Sequence, residues 1–183
     1  MVLDLTKHDA DAELWAETEK HKFEVDWLIN NAGYGSVGDF SKLDRENELN
    51  MIDLNIRSLV ALTHRYLGPM RERKSGQIVN VSSAAGVQPI PFMATYAATK
   101  AFVSSFSEAI AEENEPYGIQ VLALCPGSTK TNFFNASGID RPIQVKGQQT
   151  VDDVIETAMK AIKGGRRKVV SGFANKVGAF LGG

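Results

Sequence analysis

Ser83, Tyr96 and Lys100 are the residues of this chain whose types and spacing could do chemistry together. Tyr96 and Lys100 stand four apart in a stretch that reads as helix, so their side chains leave one face. An ammonium beside a phenol favours the phenolate and brings its pKa down from about 10. A phenol tuned in that way becomes a usable acid and base near neutral pH. Ser83 closes an apolar run, where its hydroxyl can hydrogen-bond a carbonyl or alcohol oxygen. Asn55 lies upstream in a second helical stretch. Taken alone the pair is weak evidence, because a solvated lysine beside a partly buried tyrosine has the same spacing.

The elements that must position these groups alternate short apolar runs with longer amphipathic ones. Residues 2–5, 25–31, 77–83, 119–125 and 168–172 read as strands. Residues 10–21, about 44–73, 95–114 and 151–163 read as helices, with apolar side chains at helical spacing. Thr150 is placed to cap the last of them, with Asp153 in its first turn. A polar loop occupies about 128–149, where Phe133, Phe134 and Ile139 suggest an apolar part of a substrate pocket. Continuous apolar strands separated by helices imply a Rossmann-like, doubly wound parallel sheet flanked by helices on both faces. Such sheets hold ligands at the carboxyl ends of their strands.

Gly33-Tyr34-Gly35-Ser36-Val37-Gly38 matches the G-x-G-x-x-G phosphate fingerprint and follows a strand. The fingerprint requires a helix that opens within the glycines, so that its first amides face the pyrophosphate. Here the next helix opens near Asp44, and Asp53 falls inside that helix rather than at a strand end. The segment therefore reads as a decoy.

The stretch IVNVSSAAGVQPIPFMATYAATKAF, Asn30-Asn31-Ala32-Gly33 before it and Pro126-Gly127 after it resemble the short-chain dehydrogenase/reductase family. The serine thirteen residues before the tyrosine, Y-x-x-x-K and P-G-x-x-x-T stand in the family's order. The resemblance implies an oxidoreductase that transfers a hydride between NAD or NADP and an alcohol/carbonyl substrate. It implies Tyr96 as acid/base and Lys100 as the group that lowers its pKa and binds the nicotinamide ribose. Ser83 would orient the reacting oxygen, and Asn55 would hold a water in a proton relay. Asn31, Ala32 and Gly33 would lie beside the adenosine half, and Asp4 would contact adenine. Pro126 and Gly127 would pass under the nicotinamide, with Thr131 on its carboxamide. The family also implies a homodimer or homotetramer, paired through the two long helices.

The sequence departs from the family's pattern at its start. Residues 1–183 read as a single incomplete domain that begins at the family's third strand, missing the first βαβ unit and its Gly-rich turn. That loss would leave sheet hydrogen-bonding groups unpaired and weaken the grip on the pyrophosphate. A non-catalytic nucleotide-binding or interaction protein of the same fold, or an inactive truncated fragment, are the alternatives. NAD versus NADP preference is not legible, because the residues that read it lie outside this chain.

Bulk properties agree with a small-molecule enzyme. Lys plus Arg is 20 and Asp plus Glu 22, a net charge of −2 with no pull toward nucleic acid or anionic membranes. A single cysteine, Cys125, fits a reducing, cytoplasmic setting. No apolar run is long enough to span a bilayer, and the N-terminus does not read as a signal peptide. His8, His21 and His64 show no metal-ligand spacing, so no metal site is expected.

Overall fold

The computed structural model describes residues 1–131, 133 and 148–172. Four strands form one parallel sheet in the order β1-β2-β3-β4. They are β1 (Trp27–Asn30), β2 (Gly76–Val81), β3 (Ile119–Cys125) and β4 (Lys168–Val170). Among the described residues five α-helices accompany them: α1 (Ala10–Lys20), α2 (Arg45–Ile52), α3 (Ser58–Arg73), α4 (Ala94–Asn114) and α5 (Val151–Lys163). Parallel neighbours need a crossover between them, and α3, α4 and α5 occupy those crossovers.

Register sorts the strand side chains into two layers. Leu28, Ile78 and Val121 stand opposite one another on one face. They pack with Leu62, Tyr66 and Met70 of α3 and Ile110 of α4, and Leu14 and Trp15 of α1 close the edge of that layer. Ile29, Val79 and Leu122 align on the other face. There α5 covers Val79 and Leu122 with Val154, Ala158 and Ala161. The helix is held at its start by a reciprocal capping box between Thr150 and Asp153. Ile29 lies beyond that cover and is 58% exposed.

β1 is therefore an edge strand in the described sheet, paired with β2 alone. Residues 25–31 are not the fully buried strand expected from sequence: burial alternates, and Trp27 and Ile29 are exposed. Residues 2–5 form no strand at all. A strand exists only through its ladder, and these residues have no neighbour to pair with. Instead Asp4 closes a turn by accepting the Thr6 amide at 3.0 Å and its hydroxyl at 2.8 Å. Leu5 still packs against the α3 layer.

A buried polar chain ties sheet to helices. Asn30 Nδ2 donates to Asn80 Oδ1 at 2.8 Å and to Thr63 Oγ1 at 3.1 Å, and Asn80 Nδ2 donates to Ser107 Oγ at 2.9 Å. All four residues are buried. Polar groups so enclosed must be paired, and these bonds lock β1, β2, α3 and α4 into one register.

The expected single helix over 44–73 is divided. Asp44 caps α2 through the Asn47 amide at 2.7 Å. A π turn, Asp53–Arg57, then joins α2 to α3. Asp53 and Arg57 pair across that turn at 2.8 Å, and the Ser58 hydroxyl donates back to the Leu54 carbonyl at 2.6 Å. Turns of this kind aim side chains differently from a regular helix and recur at functional sites.

Candidate active site

The π turn carries Asn55 inward, where it is almost completely buried. Its amide grips the loop after β1 at both ends of one peptide residue. Oδ1 accepts the Tyr34 amide at 3.2 Å, and Nδ2 donates to the Tyr34 carbonyl at 3.0 Å. Nδ2 also donates to Thr99 Oγ1 at 3.1 Å, which in turn donates to the Tyr96 carbonyl at 2.8 Å. Asn55 thus links the loop to the first turn of α4.

The start of α4 presents Tyr96 and, one turn on, Lys100, both buried. Lys100 Nζ donates to the Val81 carbonyl at 2.9 Å, at the carboxyl end of β2. It lies 5.9 Å from the Tyr96 ring centroid. Burial pulls the Lys100 ammonium down to about 8. Burial pushes the Tyr96 phenol above the usual tyrosine range, and the adjacent Ser83 hydroxyl offsets part of that rise. This differs from the expectation of a phenol lowered by its lysine. The reason is geometric: Nζ is turned to a backbone carbonyl, and desolvation of the ring outweighs it.

Ser83 follows β2 and caps a short 3₁₀ turn, Ala84–Val87, accepting the Ala85 amide at 3.1 Å. Pro126 and Gly127 follow β3, and the Pro126 carbonyl accepts the Ala84 amide at 2.9 Å. Thr131 lies further along the same loop, where its Oγ1 accepts the Phe133 amide at 3.3 Å. Phe133 tilts against Tyr96, with ring centroids 5.3 Å apart. Phe134 and Ile139 lie outside the described residues. Asn31 and Ala32 are exposed at the carboxyl end of β1. Asp4 is also exposed and committed to its own Thr6 turn, so it is not drawn into this cluster.

Two glycines of the G-x-G-x-x-G segment lie against the candidate side chains. A Cβ on Gly33 would sit 2.8 Å from Asn55 Oδ1 and 3.3 Å from Lys100 Nζ. One on Gly35 would sit 2.9 Å from Tyr96 Cδ2 and 3.0 Å from Phe133 Cζ. The loop is glycine-rich because it lies flat on the catalytic candidates, and α2 opens only after it, at Arg45. Thr99, Ser82 and Gly86 carry no signal in the sequence. Only their contacts place them here. Among the described residues no group of three or more His, Cys, Asp or Glu could hold a metal ion. Among them no helix is long and apolar enough to cross a membrane.

Sheet order and crossovers define a Rossmann-type, doubly wound α/β fold, with these groups gathered at the carboxyl ends of its strands. The short chain dehydrogenase family model matches residues 1–142, and the chain belongs to that family. It is 35% identical over 136 residues to an acetoacetyl-CoA reductase of Acinetobacter sp., covering 74% of this chain and 55% of the relative. It is 31% identical over 164 residues to a 3-ketodihydrosphingosine reductase of Bacteroides thetaiotaomicron, covering 89% of this chain and 59% of the relative. The chain thus spans little more than half the length of these relatives. A short-chain dehydrogenase from Sphingobium yanoikuyae in complex with NADPH superposes with a TM-score of 0.83 at 29% identity. That match covers 98% of this chain and 70% of the other.

Proposed function

We propose that this chain carries the proton-transfer machinery of a nicotinamide-dependent oxidoreductase that interconverts an alcohol and a carbonyl, working toward carbonyl reduction near neutral pH. The observation that carries the reading is the convergence of Ser83, Tyr96 and Lys100 beside the ends of β2 and β3. A phenol held protonated by burial is the right donor for a carbonyl oxygen as that oxygen gains negative charge. Ser83 adds a second hydroxyl on the same side, so the two together orient the reacting oxygen.

NAD or NADP fits the donors around Lys100. An ammonium has three N–H donors, and among the described residues Lys100 gives one to Val81. Two remain for the hydroxyls of a ribose. When bound, the nicotinamide supplies or accepts the hydride. Thr131 Oγ1 accepts one bond and keeps its own hydrogen to donate to a carboxamide. Pro126 and Gly127 provide the backbone surface next to it, and Asn31, Ala32 and Gly33 the surface toward adenosine. Asp4 would reach adenine only from its exposed turn. Asn55 Oδ1 and Lys100 Nζ flank Gly33 together, within reach of a shared water that would pass protons to Lys100.

The names of the relatives support a ketone as the class of substrate: acetoacetyl-CoA reductase and 3-ketodihydrosphingosine reductase. The test is consumption of reduced nicotinamide by the protein with NADPH or NADH and a panel of 3-oxo thioesters and long-chain ketones. Oxidation of cofactor that depends on the ketone supports the reading, and indifference to every ketone opposes it.

The same reading includes self-association as a homodimer or homotetramer. Leu49 and Ile52 of α2 and Phe102 of α4 remain exposed for that purpose. A monomer by light scattering at micromolar concentration contradicts this part. Its single thiol, Cys125, buried and free, suits the reducing cytoplasm.

A further inference from the structure

The turn after Ser83 lies on α4 with no side chain between them. A Cβ on Gly86 would stand 2.5 Å from the Lys100 carbonyl carbon, 2.7 Å from its oxygen and 2.7 Å from the Ala101 nitrogen. These are backbone atoms inside a helix, so they cannot rotate away as a side chain would. A hydrogen bond ties the same segment to the same peptide: the Ser82 hydroxyl donates to the Lys100 carbonyl at 2.6 Å. Within the turn, the Gly86 amide donates to the Ser83 carbonyl at 3.1 Å. From the other end of that lysine, Nζ reaches back to Val81. The segment 81–86 therefore holds Lys100 by its side chain, its carbonyl and the bare face of its peptide.

We propose that Gly86 is a positioning residue for the reaction: its missing side chain fixes how closely the Ser83 hydroxyl approaches the Tyr96 phenol one helical turn before Lys100. The proposal rests on the reading of Ser83, Tyr96 and Lys100 as the reacting groups. Any side chain at position 86 must lift the turn off α4. Ser83 caps that turn and must move with it, whereas Tyr96 stays with the helix. The effect on the phenol is then carried by the displacement of Ser83, and a double variant separates that route from a general loss of packing.

The experiment labels the four tyrosines of the chain with carbon-13 at Cζ and assigns the Tyr96 signal by its loss in Tyr96→Phe. The Cζ shift reports hydrogen bonding at the phenol oxygen near neutral pH, without any cofactor. Gly86→Ala is made in a Gly68→Ala background, where the added methyl meets nothing within 4 Å and raises helix propensity in α3. The expected result is that Gly86→Ala moves the Tyr96 signal as far as Ser83→Ala does, and that the double variant moves it no further. Additive shifts, or a Tyr96 signal unmoved by Gly86→Ala but moved by Ser83→Ala, overturn the proposal. A signal unmoved by Ser83→Ala overturns the underlying Ser83–Tyr96 pairing, which is a different failure. Ser82→Ala is the milder companion, because it releases the same segment from the Lys100 carbonyl without adding volume. It should move the signal in the same direction by less, and no movement there also overturns the proposal.

Discussion

Lys100 Nζ donates to the Val81 carbonyl at 2.9 Å, so the one buried lysine of the site is anchored to the sheet rather than to the phenol beside it. Its proton is costly to keep. Burial holds its folded-state pKa at about 8 against an ordinary value of 10.5. Below pH 8 both folded and unfolded chains carry the proton, and the folded chain bears the full desolvation penalty. Between pH 8 and 10.5 the folded chain sheds the proton while the unfolded chain retains it, so this group's contribution to stability rises with pH. Lys100→Met should therefore be stabilised relative to wild type most at neutral pH. The advantage should shrink by an amount on the order of 3 kcal/mol across that window. Urea unfolding of both proteins at several pH values checks this, and a difference independent of pH contradicts it.

Gly35 is another position where backbone lies directly on the site. Its Cβ would meet the Tyr96 ring at 2.9 Å and Phe133 at 3.0 Å, so Gly35→Ala must turn or push the ring. Turnover should fall about tenfold or more, as expected when a proton donor is misplaced, with little change in cofactor affinity. Gly68→Ala, which meets nothing, should leave turnover alone and add up to about 1 kcal/mol of stability. Equal turnover in wild type and Gly35→Ala would show that the contact does not matter.

The glycine loop also makes a prediction about binding. Among the described residues no helix opens within Gly33–Gly38, since a 3₁₀ turn at Phe40–Lys42 and then α2 follow it. No helix N-terminus there receives a pyrophosphate. The 183-residue chain should bind NADPH no more than about tenfold tighter than reduced nicotinamide mononucleotide, because the exposed adenosine surface adds little without charge-assisted amide contacts to the pyrophosphate. Calorimetric titration with both ligands measures this. NADPH binding tighter by orders of magnitude would return Gly33, Gly35 and Gly38 to the role of a phosphate site.

Much of this was legible in the sequence because it depends on local pattern. The apolar run 119–125 is β3 residue for residue, and the Thr150–Asp153 cap opens α5 where its spacing says it should. The Tyr96–Lys100 spacing puts both on one face of α4, a turn apart. What was not legible depends on partners. Residues 2–5 have strand composition, but no ladder forms on them. Trp27 and Ile29 look like core residues and are exposed, because the cover over β1 is not in reach of α5. The π turn at Asn55 breaks a periodicity that reads as one helix. The direction of the Tyr96 shift is not legible, because spacing shows that a lysine is near and does not show where its nitrogen points. Gly86 carried no signal, since a close approach between backbones is a property of the fold alone.

The central claim is that Tyr96 moves the proton, and the direct measurement is ketone-dependent oxidation of NADPH by wild type and by Tyr96→Phe under saturating cofactor. The ring keeps its packing against Gly35 and Phe133 in the variant, and only the donor is removed. Wild type should turn over, and Tyr96→Phe should lose about a hundredfold or more of the rate while binding cofactor as before. A variant that turns over at the wild-type rate would contradict the claim.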